Sequence, residues 1–251
     1  MRIGITCHHT YGGSGTVATE LGMALARRGH QVHFITFDRP YRLQAHPNIY
    51  VHQVDVMHYP LFEHTPVTLS LAAKMGAVLC TEKLDLLHVH YAIPHATAAY
   101  LARQLCDKKD VRIITTLHGT DITLVGQDPS YFAVAKFSIE QSDAVTAVSS
   151  WLRDETVKEF GVERPIDVIH NSVDANRFRR MDIDPQVRAR YAPDGQPIVM
   201  HISNFRPVKR VEDVVRVFAR IRAEMPAKLL MIGDGPLPLP AQGTATRRGR
   251  M

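Results

Sequence analysis

Histidine is the side chain best placed for chemistry in this sequence. The chain has 14 of them in 251 residues, and several sit where a strand-like run stops. His8-His9 follow Ile3–Cys7, and His90-Tyr91 follow Leu84–Val89. His118-Gly119-Thr120-Asp121 follow Val111–Leu117, and His170-Asn171 follow Ile166–Ile169. Ser149-Ser150 and Ser203-Asn204 hold the same kind of position after Ala144–Val148 and Ile198–Ile202. Ser, Asn and Asp at such ends can simply cap the next helix, which accounts for Ser149 and Ser150. Histidine is a poor cap. Four histidine-bearing ends therefore point to a shared cleft, since open parallel sheets bind ligands beyond the carboxyl ends of their strands. Metal binding is the competing use of so many imidazoles. His88 and His90 share one face of a strand, but no H-E-x-x-H or C-x-x-C accompanies them. The expectation is that no metal is held.

Two further groups of residues suit an anion. Gly13-Ser14-Gly15-Thr16-Val17-Ala18 fits G-x-G-x-x-A, and Asp38 lies 20 residues beyond Ala18. That resembles a dinucleotide fingerprint, but His8 to Tyr11 intervene and make the loop too long for its tight turn. The glycines can still present bare backbone N–H groups at a helix start. The second group is Asn204-Phe205-Arg206-Pro207-Val208-Lys209-Arg210, between a strand and a helix. Three cations beside a helix N-terminus suit a diphosphate, although a solvated basic turn has the same composition.

The elements that must position these residues alternate strand and helix, which predicts an α/β parallel sheet. Strands are expected at Ile3–Cys7, Gln31–Phe37, Ile49–Val54, Leu84–Val89, Val111–Leu117, Ala144–Val148 and Ile166–Ile169. Tyr11–Gly15 reads as a flexible loop before a helix closed by Arg27-Arg28-Gly29. Helices are also expected over Val67–Leu79, from Pro94 to Leu105, and over Tyr131–Gln141 and Trp151–Phe160. A polar connector then leads to a second unit: strand Ile198–Ile202, a helix with Val211, Val214, Val215, Phe218 and Ile221 on one stripe, and strand Lys228–Ile232. The expected divisions are 1–170, a connector 171–196, a second domain 197–236, and a tail 237–251 without periodicity, expected to be disordered.

Composition narrows the classes. Hydrophobic residues are 45% and charged residues 22% of the chain, as in ordinary globular proteins. No apolar stretch is long enough to span a membrane. The N-terminus enters a strand pattern with no signal-peptide core. Cys7, Cys80 and Cys106 are odd in number and widely spaced, which reads as reduced thiols in a cytoplasm. The net charge is +5, and residues 204–251 alone hold 10 Lys/Arg against 4 Asp/Glu. These cations fall in two separate places with no aromatic stacking residues interleaved among them, which argues against nucleic acid.

Together the motifs resemble the retaining glycosyltransferases of family 4, which have the GT-B fold. The matching segments are IGITCHHTYGGSG (3–15), ELGMALARRGHQVHFIT (20–36), LLHVHYAIPHA (86–96), TTLHGTDIT (115–123), IEQSDAVTAVS (139–149), HISNFRPVKRVEDVV (201–215) and AKLLMIGDGP (227–236). Within the family they resemble the branch that opens bacillithiol synthesis. The resemblance implies a complete N-terminal Rossmann-like domain and the first β-α-β unit of a second, the two facing a cleft. It implies UDP-N-acetylglucosamine as donor, L-malate as acceptor, and no metal or other cofactor. Carried over by motif, Gly13, Gly15, Asn204, Arg206, Lys209 and Arg210 would hold the donor. Ser14, Tyr91 and Thr116 would line the acceptor side. His118, Arg206 and Lys209 would be catalytic, with the cations on the diphosphate leaving group.

The resemblance ends near residue 236. The broader family has G-R-x-x-x-x-K where this chain has Asn204 to Lys209, with arginine moved to 206. Family members continue after G-D-G-P and supply an E-x₇-E segment for the donor sugar. The residues after Pro236 do not contain it. The expectation is a reading frame ended early and impaired activity. Two alternatives remain from sequence: another acceptor such as an inositol phosphate, or a nucleotide-binding fragment without catalysis. The sequence leaves homo-oligomer formation open.

Overall fold

A computed structural model describes residues 1–10, 12–106, 110–182 and 184–235. The tail expectation for 237–251 lies outside these residues. The chain divides into two compact units, Met1–Val173 and the remainder from Asp174.

In the first unit, β1 (Arg2–Thr6), β2 (Gln31–Thr36), β3 (Ile49–Gln53), β4 (Leu86–His90), β5 (Arg112–Leu117), β6 (Ala144–Ala147) and β7 (Ile166–Val168) form one sheet. Its order is β3-β2-β1-β4-β5-β6-β7 and every pairing is parallel. The central strands β1, β4 and β5 bury Ile3, Ile5, Leu87, Val89, Ile113 and Leu117 because both faces are covered, as parallel sheets require, and their polar residues lie toward the strand ends and the site. The helices are α1 (Gly13–Arg27), α2 (Val67–Thr81), α3 (Thr97–Leu105), α4 (Pro129–Glu140) and α5 (Ser150–Phe160). Ala18, Gly22, Met23 and Ala26 turn one face of α1 to the sheet. Gly22 lets it lie close, since a Cβ there would collide with the Phe34 ring. On the opposite face, Leu71, Met75 and Leu79 of α2 and Ala98, Ala99 and Ala102 of α3 bury Ile35, Leu87 and Val89. Strand order reverses between β1 and β4, which opens a crevice at their carboxyl ends.

The second unit holds α6 (Pro185–Ala189), β8 (Ile198–Ile202), α7 (Val211–Glu224) and β9 (Lys228–Ile232). Strands β8 and β9 pair in parallel, joined through α7. One apolar hollow of about 300 Å³ lies under α7, lined by Val199, Val214, Val217 and Ile221 among others.

Three local expectations are corrected. Gly13 to Gly15 are not a loop but the first turn of α1. Pro94 does not open a helix. It follows a cis peptide inside the wide turn Ala92–Ala96, and α3 starts at Thr97. Within the connector, Asp184 accepts from the Gln186 N–H and caps α6. Cys80 and Cys106 are not free thiols but a disulfide. Packing of α2 against α3 brings residues 26 apart to a Cα separation of 6.1 Å, ordinary for a bridge. Cys7 stays reduced and buried, and burial pushes its thiol up to about 12.

Candidate active site

The crevice between β1 and β4 is where the imidazoles meet. His8 leaves β1, His90 ends β4, and His118 follows β5. The His8 ring packs edge-on against Tyr91 and His95, at 4.9 and 4.7 Å between centroids. His90 Nδ1 lies 2.9 Å from His118 Nε2, and Tyr91 stacks over His118. Nδ1 of His95 donates to the His90 carbonyl. The histidine-bearing strand ends after β1, β4 and β5 thus form one cluster. His170 does not join it, and bonds instead to the Val148 carbonyl.

These rings are neutral at pH 7. Burial, then the proximity of other imidazoles, pushes His118 down to about 4. Burial alone takes His88 to about 4. His95 falls to about 3, burial first and the nearby His8 second. His90, wholly enclosed, also lies well below the usual range. A neutral imidazole can donate or accept but adds no positive charge for an anionic ligand.

Two loops hold the cluster in shape. Tyr91 has φ 95°, a backbone region that non-glycine residues seldom occupy. Its amide donates to the Thr116 carbonyl, and its hydroxyl meets Thr120 Oγ1 at 2.7 Å. Asp121 is fully buried and accepts from the backbone N–H groups of Gly119 (2.8 Å), His118 (3.1 Å) and Ala92 (3.3 Å). It therefore ties the β5 end to the β4 end. Burial raises its pKa, and these three N–H donors together with its own backbone N–H oppose that rise. With its oxygens occupied, this carboxylate is a strut.

The N-terminus of α1 faces the same crevice edge. A Cβ on Gly15 would run into the His8 carbonyl, so only glycine lets the helix start there. Gly12 supplies no side-chain cap and the first turn has no acidic residue. The first-turn N–H groups around Gly13 and Ser14 are consequently available to an anion. By contrast Ser149 caps α5 by accepting from Leu152 N, as helix capping alone would explain. Thr116 pairs in register with His90. Its hydroxyl sits between His88 Nε2 and Thr146 Oγ1, both at 2.8 Å, and it is buried.

In the second unit, Phe205 is buried and its amide donates to the Asp234 carbonyl. Gly233 has φ 141°, and a Cβ there would overlap the Ser203 carbonyl. These contacts anchor a loop from which Arg206 and Lys209 stand exposed, with no ion pair among the described residues. Arg210 differs. It adopts the left-handed conformation as N-cap of α7, and its Nε donates to Asp213 at 2.6 Å. Glu212 and Asp213 occupy the first turn of α7, so its dipole is already met by carboxylates. The expected trio of free cations is thus a pair. Asn204 is half-buried beside them.

Sequence reading missed His95, Thr120 and Thr146 as partners, and Asp121 as the strut. A buried Asp two residues past a glycine, at a strand end, is a signal for Asp121. The others depend on which strands become neighbours.

The protein-family model described as Glycosyltransferase Family 4 matches residues 11–177. The chain is 50% identical over 238 residues to the N-acetyl-alpha-D-glucosaminyl L-malate synthase of Bacillus anthracis, covering 94% of this chain and 62% of that protein. It is 26% identical over 189 residues to a GDP-mannose-dependent alpha-(1-6)-phosphatidylinositol monomannoside mannosyltransferase of Mycolicibacterium smegmatis, covering 71% of this chain and 47% of that one. Among solved structures, sucrose-phosphate synthase from Thermosynechococcus elongatus aligns with a TM-score of 0.68 at 19% identity, over 92% of this chain and 62% of its own. Anabaena HepE in complex with UDP and glucose aligns at 0.68 with 15% identity, over 94% and 62%. This chain spans less than two thirds of the length of each of these relatives. The parallel α/β architecture is that of the GT-B fold. The chain belongs to glycosyltransferase family 4.

Proposed function

We propose that this chain takes part in transfer of N-acetylglucosamine from UDP-N-acetylglucosamine to the hydroxyl of L-malate, with retention at the anomeric carbon. The 50% identity to a malate synthase over 94% of the chain carries this reading. On it, Arg206 and Lys209 neutralise the diphosphate as UDP leaves, and preorganised cations there lower the barrier without a metal. Asn204 and the Arg210 loop border the same group. The first turn of α1, with Gly13, Ser14 and Gly15, offers N–H donors to donor phosphate and to acceptor carboxylate. His118 and Tyr91 orient the acceptor as neutral hydrogen-bonding groups. Thr116 acts through His88 rather than by contact. A same-side attack lets a phosphate oxygen take the hydroxyl proton, so no acid–base carboxylate pair is needed. Asp121, occupied by three N–H groups, fits that scheme.

A cytoplasmic location belongs to the same reading. The Cys80–Cys106 bridge is unusual for that compartment, and alkylation of freshly lysed cells tests its state.

The test is incubation with UDP-N-acetylglucosamine and malate, read by mass spectrometry for the glycosyl-malate adduct, alongside UDP titration. UDP affinity should fall about tenfold to a hundredfold in Arg206→Ala, the loss of a charged hydrogen bond. Transfer to inositol phosphate but not malate would move the acceptor. Binding of NAD with none of UDP would overturn the transferase reading.

A further inference from the structure

At the β2–β3 edge of the sheet, three ligating side chains come together. His33 lies on β2 and faces α2 with Ile35. In the parallel register His33 pairs with Tyr50 and Ile35 with His52, so Tyr50 and His52 share that face. Glu82 is the C-cap of α2, which packs over the same face. His33 is buried, and His52 and Glu82 are half-buried. His33 Nδ1 and His52 Nε2 face each other at 2.9 Å, and one ligand atom from each of the three residues lies within 4.8 Å of the others. The other ring nitrogen of His33, Nε2, is buried without a hydrogen-bond partner among the described residues.

We propose that His33, His52 and Glu82 bind a zinc-class divalent ion. Two imidazoles and one carboxylate, with a fourth position for water, are a donor set of the kind zinc accepts. On tetrahedral zinc, bonds of 2.0–2.1 Å place ligand atoms about 3.3 Å apart. The two nitrogens already stand near that spacing, and Glu82 reaches it by a side-chain rotation at the half-buried rim. Burial is the main influence holding both imidazoles below their usual range, so both are neutral ligands at pH 7. Two cations border the site. Arg2 donates to the Glu82 carbonyl, and Lys74 pairs with Asp55. The bound ion would fasten the edge strand β3 to the end of α2. The inference does not depend on the transferase reading.

The experiment is equilibrium dialysis of the full chain against zinc, with metal counted per chain, and thermal melting with and without zinc. Wild type should hold one equivalent that the variants His52→Ala and Glu82→Gln lose, with affinity falling on the order of a hundredfold. Both positions are half-buried, and unchanged far-UV circular dichroism shows that the variants fold. Zinc should raise the wild-type Tm and leave that of His52→Ala unmoved. The cobalt-loaded wild type should show tetrahedral ligand-field absorption that both variants lack. Absence of zinc binding by wild type overturns the proposal. So does equal binding by wild type and both variants, which would put the ion on other histidines.

Discussion

Mild acid, above the ordinary carboxylate range, should strip this fold of several kcal/mol. His90 and His95 are buried, His88 and His118 are half-buried, and all four are neutral, with folded-state values of about 4 for His88 and His118 and about 3 for His95. An unfolded histidine titrates near 6.5. Their folded pKa is depressed, so the stability they contribute is complete above the unfolded value of about 6.5 and is lost as pH falls from there toward the folded values. At pH 5.5 the unfolded chain has taken up nearly four protons that the folded chain still refuses. Linkage sets this at about 1.4 kcal/mol for each ring and about 5–6 kcal/mol for the four. That rivals the whole stability of an ordinary domain, about 5–15 kcal/mol. Urea unfolding followed by far-UV circular dichroism at pH 7.5, 6.5 and 5.5 measures it. A loss of less than about 2 kcal/mol across that range would refute the neutral cluster.

Three other outcomes follow from named contacts. Asp121→Ala strands three buried N–H groups and should cost about 3 kcal/mol or more in urea unfolding, with Asp121→Asn losing less because one acceptor oxygen remains. Gly15→Ala forces α1 off the His8 carbonyl and should cost about 1–3 kcal/mol, with a shift of the His8 and Tyr91 ring resonances in NMR. Reductant should lower the calorimetric Tm of wild type by opening a 26-residue loop, about 3.5 kcal/mol on the chain-entropy account, and should leave Cys80→Ser unaffected.

The strands were legible as short, largely apolar runs between polar turns, and all nine lie within two residues of the expected spans. The start of α1 was not. Glycines normally signal a loop, and only the His8 carbonyl, contributed by a different segment, explains why glycine is needed inside a helix. The histidines at strand ends could be picked out, yet not which would touch. That depends on β1 lying beside β4 and β4 beside β5. Thr116 shows the limit most clearly. Its motif puts it one residue from a loop, but strand alternation turns its hydroxyl inward to His88 and Thr146. His33, His52 and Glu82 escaped for the same reason, being joined by register and by the end of a helix.

The contact between His90 and His118 has one more consequence. Two neutral imidazoles that face each other through Nδ1 and Nε2 share a single hydrogen. If His90 donates it, His118 must carry its own proton on Nδ1, and the enclosed Nε2 of His90 is a bare lone pair. If His118 donates it, Nδ1 of His118 becomes the lone pair, and an N–H is buried at His90 Nε2. That atom has no hydrogen-bond partner in either case among the described residues. The two rings thus have one binary choice between them. Whatever meets the free nitrogen of His118 also sets the tautomer of a ring it never touches.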